Sequence, residues 1–356
     1  MSILSEPPDL VIGVDTHKLL HAAAAVGAVG QLLASTEVDA NSGGYQALLE
    51  WARGLGPGRR LWAVEGTGSY GAGLTSHLAE AGEQVVEMDR PKRPARKAGA
   101  KSDQIDALRA AREVLSQEHP AAPRRRAEVE ALRVIEVARR QAVSMAADCQ
   151  RELQSTLVNA PALLRERLAS LSTGRLVKLC AGLSSKPADS LQMRSTIIAL
   201  KSTARRALAA EQEIKRLDRE LAELVRKQHP ELLAEFGVGP VVAARLGQAW
   251  SHPGRFRSEA AFARLNGSAP VEASSGQNQR HRLNRGGDRQ LNSALHTVML
   301  TRLAHDARTR AYVERRKAEG KSLREIQRCL KRYLSRHLFR VMESAAKNKC
   351  LALDKP

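Results

Sequence analysis

The chain has 356 residues, with 57 lysines and arginines against 38 acids and a formal charge of +19. That length allows two or three domains, and so basic a balance points to a polyanion, most often nucleic acid. No apolar run approaches the roughly 18 residues of a spanning helix, so no membrane partner is expected.

MSILSEPPDL has no signal-like start, and Cys149, Cys180, Cys329 and Cys350 form no CxxC pair. Both features fit a reducing, prokaryote-type cytoplasm and argue against structural zinc. Only 3% of residues are aromatic, so arginine rather than base stacking must carry nucleic-acid contacts.

In chain order, LVIGVD (10–15) reads as a strand ending in an acid. HAAAAV (21–26) and QLLASTEV (31–38) follow at hairpin-like spacing. GGYQALLEWARGL (43–55) has helical period, and RLWAVEG (60–66) is a buried-strand pattern closing on another acid. GAGLTSHLAEAG (71–82) predicts a helix and QVVEMD (84–89) a strand ending at Asp89. RPKRPARKAGA is a proline-broken basic loop, and from Ser102 the pattern is helical again. Three strands, helix, strand, helix, strand, helix is the order of an α/β ribonuclease H-like fold.

SQEHPAAPRRR (116–126) reads as a linker, and 127–228 as helix throughout. There Leu200, Ala207, Ala210, Ile214, Leu217, Leu221 and Leu224 fall at three- and four-residue steps. That seam predicts a coiled coil or an ordinary long amphipathic helix. HPELLAEFGVGPVVAARL (229–246) resembles a helix-hairpin-helix, whose glycine turn offers N–H groups to phosphate; a plain packing unit is the other reading. Helices are predicted over 255–267, 287–306 and 322–342, so the C-terminal part is mostly α-helical.

Asp15 and Glu65 end two strands that neighbour each other in such a sheet, and Asp103 and Asp106 share a helix face. Four converging carboxylates would repel unless a cation sat among them. Oxygen donors without His or Cys favour a hard ion, Mg²⁺ or Mn²⁺, suited to phosphodiester chemistry. Each acid alone also fits a solvated strand end or a helix cap. GVDTHK with EGTG could belong to an actin-like sugar kinase, but no second Asp-x-Gly hairpin follows.

GVDTHK, AVEGTGSYG, AKSDQIDA and the late GSAPVEASSGQNQRHRLNRGGDRQLNSALH together resemble the insertion-sequence one-ten family of DEDD transposases, the RNA-guided bridge recombinases. The resemblance implies a RuvC-like DEDD domain (1–118), a helical linker with a coiled coil (119–228), a transposase domain with the hairpin-like segment and a catalytic serine (229–345), and a tail (346–356). Its metal ligands fall on Asp15, Glu65, Asp103 and Asp106, and its nucleophile on Ser275, before Gly276 and after Pro270. The doubled serine leaves Ser274 as the alternative.

The implied reaction leaves a 5′-phosphoserine link and a free 3′ hydroxyl; the rival is a Holliday-junction-type nuclease that uses water. His281 is the nearest candidate base, also readable as a solvated loop histidine. Arg280, Arg282, Asn284, Arg285, Arg289, Arg93, Arg96, Lys97 and Lys101 would meet nucleic acid, with Gly286 and Gly287 permitting close approach. The implied partners are double-stranded donor and target DNA, a non-coding guide RNA, and further copies of the chain in a homodimer or homotetramer.

Overall fold

The computed structural model describes residues 8–88, 103–117, 120–123, 127–272, 281–282, 284 and 286–353. It divides into two units: Met1–Arg126 with Trp250–Ala261, and Ala127–Ala249 with Phe262–Pro356. Among the described residues no helix is long and apolar enough to cross a membrane.

The first unit contains β1 (Leu10–Thr16), β2 (Leu20–Gly27), β3 (Leu32–Asp39), α1 (Ser42–Gly54), β4 (Arg60–Glu65), α2 (Ala72–Glu80), β5 (Gln84–Met88) and α3 (Asp103–Leu115). The sheet order is β3-β2-β1-β4-β5, with β1 antiparallel to β2 and parallel to β4. This is the mixed sheet of a ribonuclease H-like fold. β1 and β4 run side by side in register, Leu10 opposite Arg60 through Val14 opposite Val64, so their carboxyl ends finish together.

Alternation divides the side chains between two cores. Leu10, Ile12, Val14, Trp62 and Val64 pack with Leu48, Leu49, Leu74 and Leu78 of α1 and α2. Val11, Leu61, Ala63 and Val86 face Ala110, Ala111 and Val114 of α3. Gly13 lies on the α3 side, where an added Cβ would stand 2.0 Å from the Ala107 carbonyl and 2.5 Å from the Ala111 amide. The helix backbone therefore rests directly on β1, and only glycine allows it.

The second unit contains α4 (Ala127–Val158), α5 (Ala162–Ala169), α6 (Thr173–Ala181), α7 (Leu191–Gln228), α8 (Pro230–Leu233), α9 (Pro240–Trp250), α10 (Glu259–Leu265), β6 (Val271–Glu272), β7 (His281–Arg282), α11 (Arg289–His305), α12 (Ala307–Ala318) and α13 (Leu323–Leu353). The chain passes to the first unit at the end of α9 and returns within α10.

α4 and α7 lie against each other. Arg139 pairs with Asp218 and Arg206 with Glu152, so the two helices are antiparallel. Leu200, Ala207, Ala210, Leu217 and Leu221 of the predicted seam are buried, while Ile214 and Leu224 are half-buried. The seam's partner within the chain is α4 together with α5 and α6, through Leu153, Leu157, Leu168 and Leu176.

Two elements were not expected. α12 buries only Val313, which is too little to leave a periodic apolar stripe. β6 and β7 pair over two residues each, too short for a strand pattern. The helix predicted over 255–267 is confined to α10, with residues 255–258 in the turn that precedes it.

Candidate active site

Asp15 continues the Val11–Gly13 row of β1 and therefore points toward α3 rather than toward α1 and α2. The close approach at Gly13 sets Ala107 over that glycine. One helical turn before Ala107 is Asp103, and two strand residues after Gly13 is Asp15, so the contact brings the two acids together. The Asp15 carboxylate and Asp103 meet at His17: its Nε2 lies 3.2 Å from Asp15 Oδ2 and 3.5 Å from Asp103 Oδ2. One donor atom from each of the three falls within 4.8 Å of the other two.

Glu65 ends β4 beside Asp15 and on the same face by alternation. Its carbonyl accepts a 2.9 Å bond from the Thr16 hydroxyl, tying the two strand ends. Burial pushes the Asp15 carboxyl above its ordinary range; Glu65 and Asp103 push the same way, and His17 opposes them. Asp106, one turn along α3, accepts a 2.9 Å bond from Arg109 instead of joining the triad.

Two acids and an imidazole, with Glu65 adjoining, form a donor set that fits a divalent cation. The expectation of four carboxylates did not include the imidazole nitrogen that faces two of them. His17 was legible in principle, because the alternation that aligns residues 11, 13 and 15 continues to 17.

Other predicted contacts belong to the second unit. Asp288 caps α11, accepting from the Gln290 and Leu291 amides at 2.8 and 3.0 Å, which leaves Arg289 exposed in the first turn. Gly287 has φ +108°, and a Cβ there would meet the Leu265 carbonyl at 2.5 Å. The close approach it permits is thus to the end of α10. Asn284 accepts from the Gly286 amide at 3.0 Å, and Arg282 is exposed on β7.

A partly buried polar network joins the end of α10 to α11 and α13, and no sequence signal announced it. Asn266 donates to Ser335 at 2.7 Å, Asn292 to the Asn266 carbonyl at 2.7 Å, and Lys331 to Asn292 at 2.8 Å. Burial lowers the Lys331 pKa below the usual lysine range. The turn between α8 and α9 is also engaged: Arg302 donates to the Phe236 carbonyl at 2.9 Å and pairs with Glu235, which His337 also contacts at 2.7 Å. Ser274, Ser275, Arg280, Arg285, Arg93, Arg96, Lys97, Lys101 and Asp89 lie outside the described residues, and the His281 side chain is likewise undescribed.

Comparison with known families gives two matches. Residues 12–160 match a DEDD transposase model of the IS110 type, and residues 231–314 match the transposase IS116/IS110/IS902 family. Between them they span well over half of the chain. The chain belongs to the IS110 family of DEDD transposases. It is therefore an enzyme that acts on DNA.

The first match runs from β1 to just past the end of α4 and takes in all three residues of the triad. The second spans α8 into α12 and includes both Ser274 and Ser275. A search of curated proteins returns no match for this transposase.

Proposed function

We propose that this transposase cuts and rejoins DNA through a covalent protein–DNA link formed by Ser275. The observation that carries the reading is the meeting of Asp15 and Asp103 beside Glu65 on one face of the sheet, in a chain whose second family match contains the serine. The serine Oγ attacks the scissile phosphorus, its proton passing to solvent or a nearby base. The Oγ–P bond forms as the bond to the 3′ oxygen breaks, leaving a 5′-phosphoserine and a free 3′ hydroxyl. Because the ester keeps the energy of the broken bond, rejoining needs no nucleotide.

Mg²⁺ or Mn²⁺ would supply charge stabilisation at the phosphate and at the leaving oxygen. Asp15, Asp103 and Glu65 would hold it, with Asp106 completing the family set once released from Arg109. Arg282, Arg289 and the basic residues around the serines would grip the DNA backbone. A non-coding guide RNA would select the sites, and a dimer or tetramer would bring serine and acids from different copies to one phosphate. The domain roles follow: acids in residues 1–118, a coiled-coil linker in 119–228 and the serine in 229–345.

Trapping adducts on labelled donor DNA tests the reading. Ser275→Ala should abolish the covalent species and leave DNA binding within about twofold. An adduct that persists in Ser275→Ala and disappears in Ser274→Ala moves the nucleophile by one residue. Cleavage without any adduct in the wild type rejects the serine mechanism in favour of hydrolysis.

A further inference from the structure

Beside the carboxylates of this transposase's centre stands an imidazole. We infer that His17 is itself a metal ligand, adding an imidazole nitrogen to the carboxylates of Asp15 and Asp103, so that the centre favours Mn²⁺ over Mg²⁺. The inference rests on the reading of a divalent ion at the sheet's end.

Three observations carry it. The His17 Nε2 lies 3.2 and 3.5 Å from one oxygen of each acid, so the nitrogen stands among the donors and not behind them. The same nitrogen is hydrogen-bonded to Asp15 and lies within ion-pair distance of Asp103, so it faces both acids. The backbone places it there: the His17 amide donates to the Leu20 carbonyl at 3.1 Å, which closes the turn from β1 to β2. The fourth family carboxylate, Asp106, is meanwhile bonded to Arg109 at 2.9 Å and stands outside the triad. Imidazole is a softer donor than carboxylate, and it strengthens binding of transition ions much more than binding of Mg²⁺, which takes oxygen by preference.

The test is Mn²⁺ titration of the metal-stripped full chain by electron paramagnetic resonance, with spin-echo modulation to detect a coordinated imidazole nitrogen. Mg²⁺ affinity is read by competition. The wild type should bind Mn²⁺ in a manner abolished by Asp15→Asn and should show the nitrogen modulation. His17→Ala should lose that modulation and weaken Mn²⁺ by at least the tenfold or so that loss of even an outer partner costs, with Mg²⁺ affected less.

Mn²⁺ bound with Asp15 dependence but without imidazole nitrogen overturns the role of His17 and leaves the metal reading intact. Equal weakening of both ions in His17→Ala does the same. Mn²⁺ binding that is absent, or indifferent to Asp15→Asn, overturns the metal reading itself. The wild-type spectrum alone tells imidazole coordination from its absence even if a variant fails to fold.

Discussion

The two ends of one sheet treat a buried acid in opposite ways. Where β4 and β5 begin, the Glu83 side chain is 6% exposed and is held by Arg60 at 2.9 Å and the Trp62 indole at 2.9 Å. Burial would raise its pKa, yet the bonds from Arg60 and Trp62 bring it below the ordinary range. Where β1 and β4 finish, the Asp15 side chain is 10% exposed, and its neighbours are His17 and two further acids. The chain has 57 lysines and arginines to draw on, yet among the described residues none pairs with Asp15. An acid that served only the fold would resemble Glu83. The contrast makes sense if the missing positive charge arrives from outside.

The largest expected effect breaks the contrast directly. Asp15→Asn should lower strand cleavage by about 10³-fold or more, the equivalent of the several kcal/mol a metal contributes to transition-state charge. Its circular dichroism should be unchanged. Glu83→Gln should do the reverse: cleavage within a few-fold of wild type, but stability in urea reduced by about 3 kcal/mol, because Arg60 is left half-buried without its charge partner. If Glu83→Gln abolished cleavage while Asp15→Asn spared it, the assignment of roles to the two ends would fail.

Next in size is the contact that assembles the acid end. Gly13→Ala places a methyl against the backbone of α3, which cannot rotate away as a side chain could. The cost should sit at the upper end for overpacking, about 3 kcal/mol, measured by urea denaturation. Gly54→Ala, with nothing within 4 Å of its Cβ, is the control and should be neutral or slightly stabilising. A Gly13→Ala protein as stable as wild type would mean that α3 does not need this seat.

Much of this was legible in the sequence. β1 and β4 are short apolar runs bounded by turn residues, and the two acids sit at their ends, so both fold and acids follow from period and punctuation. His17 was missed because a histidine just past a strand looks like a turn residue; only the continued alternation marks it. The Asn266, Asn292, Lys331 and Ser335 network was not legible at all. Its members come from α10's end, α11 and α13, and no local spacing links polar residues that meet only through tertiary packing. α12 escaped for the opposite reason: it is nearly all surface.

The smallest effect is a difference in slope with pH, measured as the melting temperature of the metal-free chain. The Asp15 pKa is raised in the folded state, so the folded chain holds that proton more tightly than the unfolded chain. The resulting stability is complete below the unfolded value, about pH 4, and is lost as pH rises through the raised folded value. Asp15→Asn should therefore melt above wild type at neutral pH and converge with it in acid. The Glu83 pKa is lowered, so its contribution is present above the unfolded value and disappears as pH falls through the folded one. Glu83→Gln should then melt below wild type at neutral pH and converge with it from the other side. Adding Mn²⁺ should erase the Asp15 difference alone, since an ion bound only to the folded chain stabilises it by mass action. Parallel pH slopes for the two variants would show that both acids are compensated alike.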